Sequence, residues 1–196
     1  KLDELAVVLL KKETMGVEDA YFLGLYAAEG CANPCSITIF DKRAQQWLAS
    51  YIEKRFGYTP SFNEKKQLTI LQNPTKEFLK ELGKANSYTK FVPEEVLAGS
   101  EEITKAFLAG YLDGDGEVNN VVATGTRSKS LGRSLSYLFS RIGITVTSKV
   151  SIKKGKEFYK NYVTEPQAKL ALSEMMKEYS LLKKDSTITS EKNIST

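Results

Sequence analysis

Apolar and polar positions along the chain keep two periods, and the switches between them lay out the elements. From Lys1 to Lys12 apolar residues recur at helical spacing between charged ends, which predicts an amphipathic helix packed on the body. Ala20 to Ala28 is a second helix, with Glu18 and Asp19 placed to cap and charge its start. Gly30 and Asn33-Pro34 stop it and turn the chain. Ser36 to Phe40 alternates polar with apolar and reads as a half-buried strand. Asp41 to Phe56 returns to helical spacing, with Ala44, Trp47, Leu48, Tyr51 and Ile52 on one stripe and Gly57 as its stop. Tyr58 to Phe62 and Gln67 to Leu71 form a hairpin. Pro74 then opens a helix to Leu82, closed by Gly83.

Residues 84–100 are polar and turn-rich, and beyond them the order repeats. A helix runs from Glu101 to Asp113, and an Asn119-Asn120 turn leads into a strand through Thr124. A helix from Ser128 to Arg141 ends at Gly143, followed by strands Thr145 to Ile152 and Glu157 to Val163 and a helix from Pro166 to Leu182. Each half reads α-β-β-α-β-β-α, an α+β fold, with a short first hairpin in each. The letters themselves repeat. At an offset of 86 (115 − 29), Glu29 falls on Asp115, Gly24 on Gly110 and Gly30 on Gly116. Without a gap, Ser50-Tyr51-Ile52 falls on Ser136-Tyr137-Leu138, and Arg55-Phe56-Gly57 on Arg141-Ile142-Gly143. Repeats of this kind decide a fold before any single element does. The chain divides into an N-terminal extension (1–17), a first half (18–86), a linker (87–100), a second half (101–184) and a loosely ordered, Ser- and Thr-rich tail (185–196). Gly24, Ala28, Ala109, Gly110 and Gly114 are small enough for two helix backbones to approach. The two matched helices are therefore expected to pack about a pseudo-twofold, with an acid at the end of each.

Composition narrows the chemistry. The chain has 196 residues, enough for one sizeable domain or two small ones sharing a core. Lys and Arg number 28 against 24 acids, a net charge of +4 that admits nucleic acid without requiring it. There is no His, which removes His-based triads, imidazole bases and His-ligated metals. Cys31 and Cys35 are too few for a zinc site. Their spacing allows a local disulfide, but free thiols are the intracellular expectation. The longest apolar run, Leu5 to Leu10, is far too short to cross a bilayer, and no small-residue cleavage site follows it. The expectation is a cytoplasmic protein with no membrane segment.

Leu108 to Gly116 resembles the LAGLIDADG motif of homing endonucleases, and Phe22 to Gly30 resembles a degenerate first copy. Tyr88-Thr89-Lys90-Phe91-Val92-Pro93 is similar to the Lys-x-Ile-Pro stretch ahead of the second motif in the two-motif, intein- and intron-encoded branch. Thr126-Arg127-Ser128-Lys129-Ser130, with a helix ending in Arg141-Ile142-Gly143-Ile144, fits the same branch. The resemblance implies a monomer whose two antiparallel sheets form a DNA-binding saddle. It also implies cleavage of both strands at a long, roughly palindromic site.

The residues give that implication a mechanism. Parallel helices bring their C-terminal ends together, so Glu29 and Asp115 should converge. Carboxylates at negative helix ends repel each other and call for a cation. Oxygen-only donors point to Mg²⁺, with Ca²⁺ or Mn²⁺ able to take the same place, and the carbonyls of Ala28 and Gly114 would complete the shell. Asp113 has Ala27 as its counterpart, and the resemblance implies that the acid at this place caps the partner helix, bonding near Asp19 and Ala20. With no His, a lysine is the side chain left to steady charge or orient water. Lys90 fits from the link, and its partner should follow the last helix at Lys183 or Lys184, with Lys184 taken. Thr147, Lys149, Ser151 and Lys153 share one strand face, and a two-stranded ribbon fits the DNA major groove. Lys153, Lys154, Lys156 and Lys160 would meet phosphates, joined by Lys129 and, at the matching first-half turn, by Lys65 and Lys66. The rival reading is a non-cutting relative, an RNA-splicing maturase or a DNA-binding relic. Acids at both Glu29 and Asp115 favour the cutter. An intein endonuclease is a further form, although Lys1 and Ser195-Thr196 are not splicing residues.

Overall fold

The computed structural model describes residues 15–65, 67–115, 117–118 and 122–181. The helix expected over 1–12, the Asn119-Asn120 turn, the 185–196 tail, Lys66, Lys183 and Lys184 lie outside the described residues. The first half runs α1 (Val17–Glu29), β1 (Gly30–Ala32), β2 (Cys35–Thr38), α2 (Lys42–Phe56), β3 (Ser61–Asn63), β4 (Leu68–Ile70) and α3 (Asn73–Leu79). A short α4 (Glu94–Leu97) lies in the link. The second half runs α5 (Glu101–Asp115), β5 (Glu117–Val118), β6 (Val122–Thr126), α6 (Lys129–Arg141), β7 (Thr147–Lys153), β8 (Lys156–Val163) and α7 (Pro166–Tyr179). Each half builds a four-stranded antiparallel sheet of the same topology, β1-β2-β4-β3 and β5-β6-β8-β7.

The core is the contact between α1 and α5. Every residue from Asp19 to Ala27 is buried, so α1 is packed on all sides rather than along one stripe. A side chain on Gly24 would come 2.0 Å from the Phe107 carbonyl oxygen, and one on Gly110 would come 2.1 Å from that of Tyr21. Tyr21 and Phe107 stand one repeat apart, as Gly24 and Gly110 do. The contact is therefore reciprocal, which is what a twofold relation produces. Gly114 against Ala28 carries the same register to the C-terminal ends, so the helices run parallel. Around them, Phe22 meets Tyr51, Phe56 and Phe78 with ring centroids 5.0–6.3 Å apart, and α6 lies against β6 and β8.

The local signals set most ends. Asp41 caps α2 by accepting from Arg43 N and Ala44 N, and Gly57 ends it at φ 74. Ser128 caps α6, and Gly143 follows it at φ 75. Three helix C-termini differ from the sequence reading by two residues or more. The helix expected to stop at Asp113 continues to Asp115, because Gly114 faces Ala28 and packing holds the last turn that a glycine would otherwise release. The helix opened by Pro74 breaks at Leu79, where Lys80 takes φ 50 and a 3₁₀ turn spans Lys80–Lys84. The last helix ends at Tyr179 rather than at Leu182, where the buried Ser180 and the Leu181 N–H bond to Asp113. No helix among the described residues is long and apolar enough to cross a membrane.

Candidate functional site

Each motif helix delivers its acid to the mouth of a sheet. Glu29 is the last residue of α1, partly exposed, and β1 begins at Gly30. Asp115 is the last residue of α5, exposed, and β5 begins at Glu117. Closure between them depends on Gly114, where a side chain would stand 2.6 Å from Ala28 Cβ and 3.1 Å from Glu29 Cγ. The two carboxylates act on the same neighbours. Burial pushes the Tyr111 phenol above its ordinary range, and Asp115 and Glu29 both add to that push.

The third member comes from the link. Lys90 N donates to Asn86 O at 3.0 Å, and Ser128 Oγ donates to Lys90 O at 2.5 Å, which fixes the backbone between the two halves. Its side chain is only 7% exposed, and Nζ donates to Ala28 O at 3.0 Å and to Tyr26 O at 3.5 Å. An ammonium there complements the carbonyl end of α1. Burial pushes the Lys90 ammonium down from the ordinary lysine value, and the charges of Glu29 and Asp115 pull it back up. The structure thus brings Lys90 to both acids and occupies one lone pair of the Ala28 carbonyl, leaving a second.

Asp113 is structural, and one donor, Tyr21, lies beside Ala20 as expected, while the other two were not expected. It accepts from Tyr21 Oη at 2.6 Å, from Ser180 Oγ at 2.7 Å and from Leu181 N at 3.1 Å, so it ties α1 to the end of α7. Asp19 and the start of α1 are served locally and by α2: Asp19 accepts from Gly16 N at 3.3 Å, Tyr51 Oη at 2.6 Å and Arg55 Nε at 3.1 Å. Cys31 and Cys35 are free thiols, the first exposed and the second buried beside the Tyr26 hydroxyl. Among the described residues no group of three His, Cys, Asp or Glu gathers.

The β7–β8 hairpin carries the cationic face. Asn161, Ser148 and Tyr159 point to α6: Asn161 Nδ2 donates to Gly132 O at 2.9 Å, Ser148 Oγ donates to Ser136 Oγ at 3.2 Å, and Gly132 abuts Tyr159. Alternation then turns Thr147, Lys149, Ser151 and Lys153 outward, as expected, together with Lys156 and Lys160. Lys149 faces Lys160, and Lys153 faces Lys156 across the ladder. Lys154 sits exposed in the hairpin turn at φ 49, and Lys65 is exposed at the β3–β4 turn. Lys129 stands apart from these rows. It lines a groove of about 440 Å³ between α6 and the hairpin, with Arg133 and Tyr159. Four residues on the outer face were not anticipated: Phe158, Tyr162, Arg127 and Tyr88. The alternation of Lys156, Phe158, Lys160 and Tyr162 along β8 is the signal that marks the first two.

Residues 102–194 match the family model of the LAGLIDADG-like domain. Among curated proteins, the chain is 29% identical over 135 residues to the Rpo1C component of the DNA-directed RNA polymerase of Methanocaldococcus jannaschii, covering 63% of this chain and 16% of that protein. It is 32% identical over 171 residues to an A-type ATP synthase component of Pyrococcus horikoshii, covering 82% of this chain and 17% of that protein. The chain thus spans about a sixth of the length of the curated relatives it matches. Among solved structures, mesophilic variants of the homing endonuclease I-DmoI align with a TM-score of 0.66 at 12% identity, over 86% of this chain and 99% of that one. An I-DmoI variant in complex with its nicked target DNA and manganese aligns with a TM-score of 0.63 at 12% identity, over 84% and 97%. The second half, with its helix and terminal acid, thus carries a LAGLIDADG-like domain, and the chain has the fold of the homing endonuclease I-DmoI.

Proposed function

We propose that this chain is a site-specific endonuclease that binds duplex DNA as a monomer and cuts both strands at a long, roughly palindromic site. The observation that carries the reading is the reciprocal packing of α1 and α5, which sets one acid from each half at parallel helix ends. A pseudo-twofold with one carboxylate per half matches two strands of opposite direction. Glu29 and Asp115, with the carbonyls of Ala28 and Gly114, form a hard oxygen set suited to Mg²⁺, to which water and phosphate oxygens add the remaining ligands. Such an ion supplies Lewis acidity and an acidified water at the phosphodiester. Lys90 holds a positive charge beside both acids, where it steadies the charge that gathers on phosphoryl oxygens or orients the attacking water. Lys149, Lys153, Lys154, Lys156 and Lys160, with Lys129, hold the phosphates while Thr147 and Ser151 face the groove. I-DmoI, whose fold this chain shares, is a homing endonuclease solved with its target DNA.

The curated relatives add context. The RNA polymerase and the ATP synthase do unrelated work, yet a component of each carries a stretch like this one over a small part of its length. We read this as a mobile segment carried within host proteins, the intein form of the activity.

The test is cleavage of a library of duplex sites with Mg²⁺ or Mn²⁺. Glu29→Gln or Asp115→Asn should abolish cutting and leave DNA affinity equal or tighter, because a negative charge near phosphates is lost. Wild-type rates in both variants would exclude the acids. A wild-type chain that binds but never cuts would favour the maturase or relic.

A further inference from the structure

The two sheets share a topology but not a charge. On the second sheet, one row across the ladder is Gly125, Lys160 and Lys149. The row in the same place on the first sheet is Thr38, Leu68 and Asn63. The next row pairs Tyr162 with Thr147 on the second sheet and Ile70 with Ser61 on the first. These first-sheet residues lie on the outer face, because the alternate set, Thr69 and Ile37, is buried at 4% and 0% exposure. The second hairpin then runs on through Ser151–Phe158 to Lys153–Lys156, while β3 stops at Asn63.

The cations of the second sheet are also held in place. Lys149 Nζ and Lys160 Nζ lie 6.0 and 5.9 Å from the Tyr162 ring centre. Lys153 Nζ lies 5.9 Å from the Phe158 ring, whose other neighbour is the Arg127 guanidinium at 5.2 Å. Arg127 in turn lies 5.7 Å from the ring of Tyr88, which comes from the link between the halves. Among the described residues, the first half has cation–ring contacts only through Arg55, which is paired with Asp19 beside the core. Ser151 Oγ, on the second sheet, is shielded from solvent and has no hydrogen-bond partner among the described residues. A row of four cations with no carboxylate facing it in these contacts fits a polyanion, and a flat two-stranded ribbon fits the major groove.

We propose that the halves hold DNA by different means: the β7–β8 sheet supplies nearly all of the phosphate grip, through cations set on Phe158 and Tyr162, while the first sheet contacts its half of the site without charge. The reading rests on duplex DNA being the ligand. The rings act by positioning. Long cationic side chains that are already ordered lose less freedom on binding, which tightens the complex without adding charge.

Salt dependence separates these roles, because its slope counts neutralised phosphates. The probe is a random-sequence duplex, titrated with the full chain across a range of salt concentrations. Replacing Lys149, Lys153, Lys156 and Lys160 by Gln should lower the slope by about 3 to 4. Replacing Lys42, Lys65 and Lys66 by Gln should change it by less than about 1. Phe158→Leu and Tyr162→Leu should each weaken binding about fivefold with the slope unchanged, and Phe158→Tyr should restore affinity. Thermal melting of each variant verifies that the fold is kept. If the first-half variant lowers the slope as much as the second, the unequal grip is wrong. If Phe158→Leu binds as the parent does, or binds weakly with a reduced slope, the ring bed is wrong. A parent chain with no salt-dependent duplex affinity, or with a preference for RNA of the same sequence, would overturn the DNA reading itself.

Discussion

At the scale of single residues, Lys90 is the one buried cation among the described residues. Its backbone oxygen is held by Ser128, its ammonium by Ala28, and it is nearly out of solvent. A side chain fixed this firmly beside two acids is suited to act on charge that appears only during the reaction. Lys90→Met should lower the single-turnover rate of cutting at saturating metal by about a hundredfold, with DNA affinity changed by less than about threefold. Weaker binding with a normal rate on bound DNA would make Lys90 a phosphate contact and withdraw its role in the chemistry. Asp113 illustrates how far a residue's role was legible. That it is structural followed from the missing acid at Ala27. Tyr21 lies where a partner was expected, but Ser180 and Leu181 come from a segment 67–68 residues away, and nothing local links them to Asp113.

At the scale of elements, the repeat was legible because the packing register equals the repeat offset. Gly24 and Gly110 match in the alignment and then sit in matching places in the contact. The last turn of α5 was not legible, since glycine is a stop signal by local propensity and only the partner helix keeps Gly114 helical. The pairing makes a quantitative expectation. A methyl group on Gly24 or Gly110 would stand about 2 Å from a backbone carbonyl, which a side-chain rotation cannot relieve. Each Gly→Ala change should therefore cost about 3 kcal/mol, and the two costs should be similar. The double variant should cost clearly less than their sum, because the first methyl already spreads the helices that the second would spread. Urea unfolding of the three variants measures this. Strictly additive losses would mean that the two contacts are independent and that the reciprocal interface is misread.

At the scale of the whole molecule, the sequence reads as two repeated halves sharing a core, and in the structure that core is the contact between them. Their largest shared surface is the α1–α5 contact, whose residues are the most buried in the chain: Phe22, Tyr26, Phe107, Leu108 and Ala109 are at 0% exposure. Polar ties cross the same boundary, from Tyr21 to Asp113 and from Lys90 to both Ala28 and Ser128. A half taken alone would expose the apolar side of its motif helix and leave Asp113 with one fewer donor. A chain segment of about 70 residues has little core to spare for that loss. The chain should therefore unfold as one unit despite its repeat. The single tryptophan makes this testable, because Trp47 belongs to the first half and packs against Tyr21 and Tyr51 at 4.9 and 5.2 Å. Leu135→Ala removes a fully buried side chain from the second half, at a cost of about 2–5 kcal/mol. Under one-unit unfolding, that change lowers the denaturation midpoint read by Trp47 fluorescence by as much as the midpoint read by far-ultraviolet circular dichroism. If the fluorescence midpoint stays at its parent value while the dichroism curve splits, the halves fold independently. The acids would then be brought together by docking two domains rather than by a shared core.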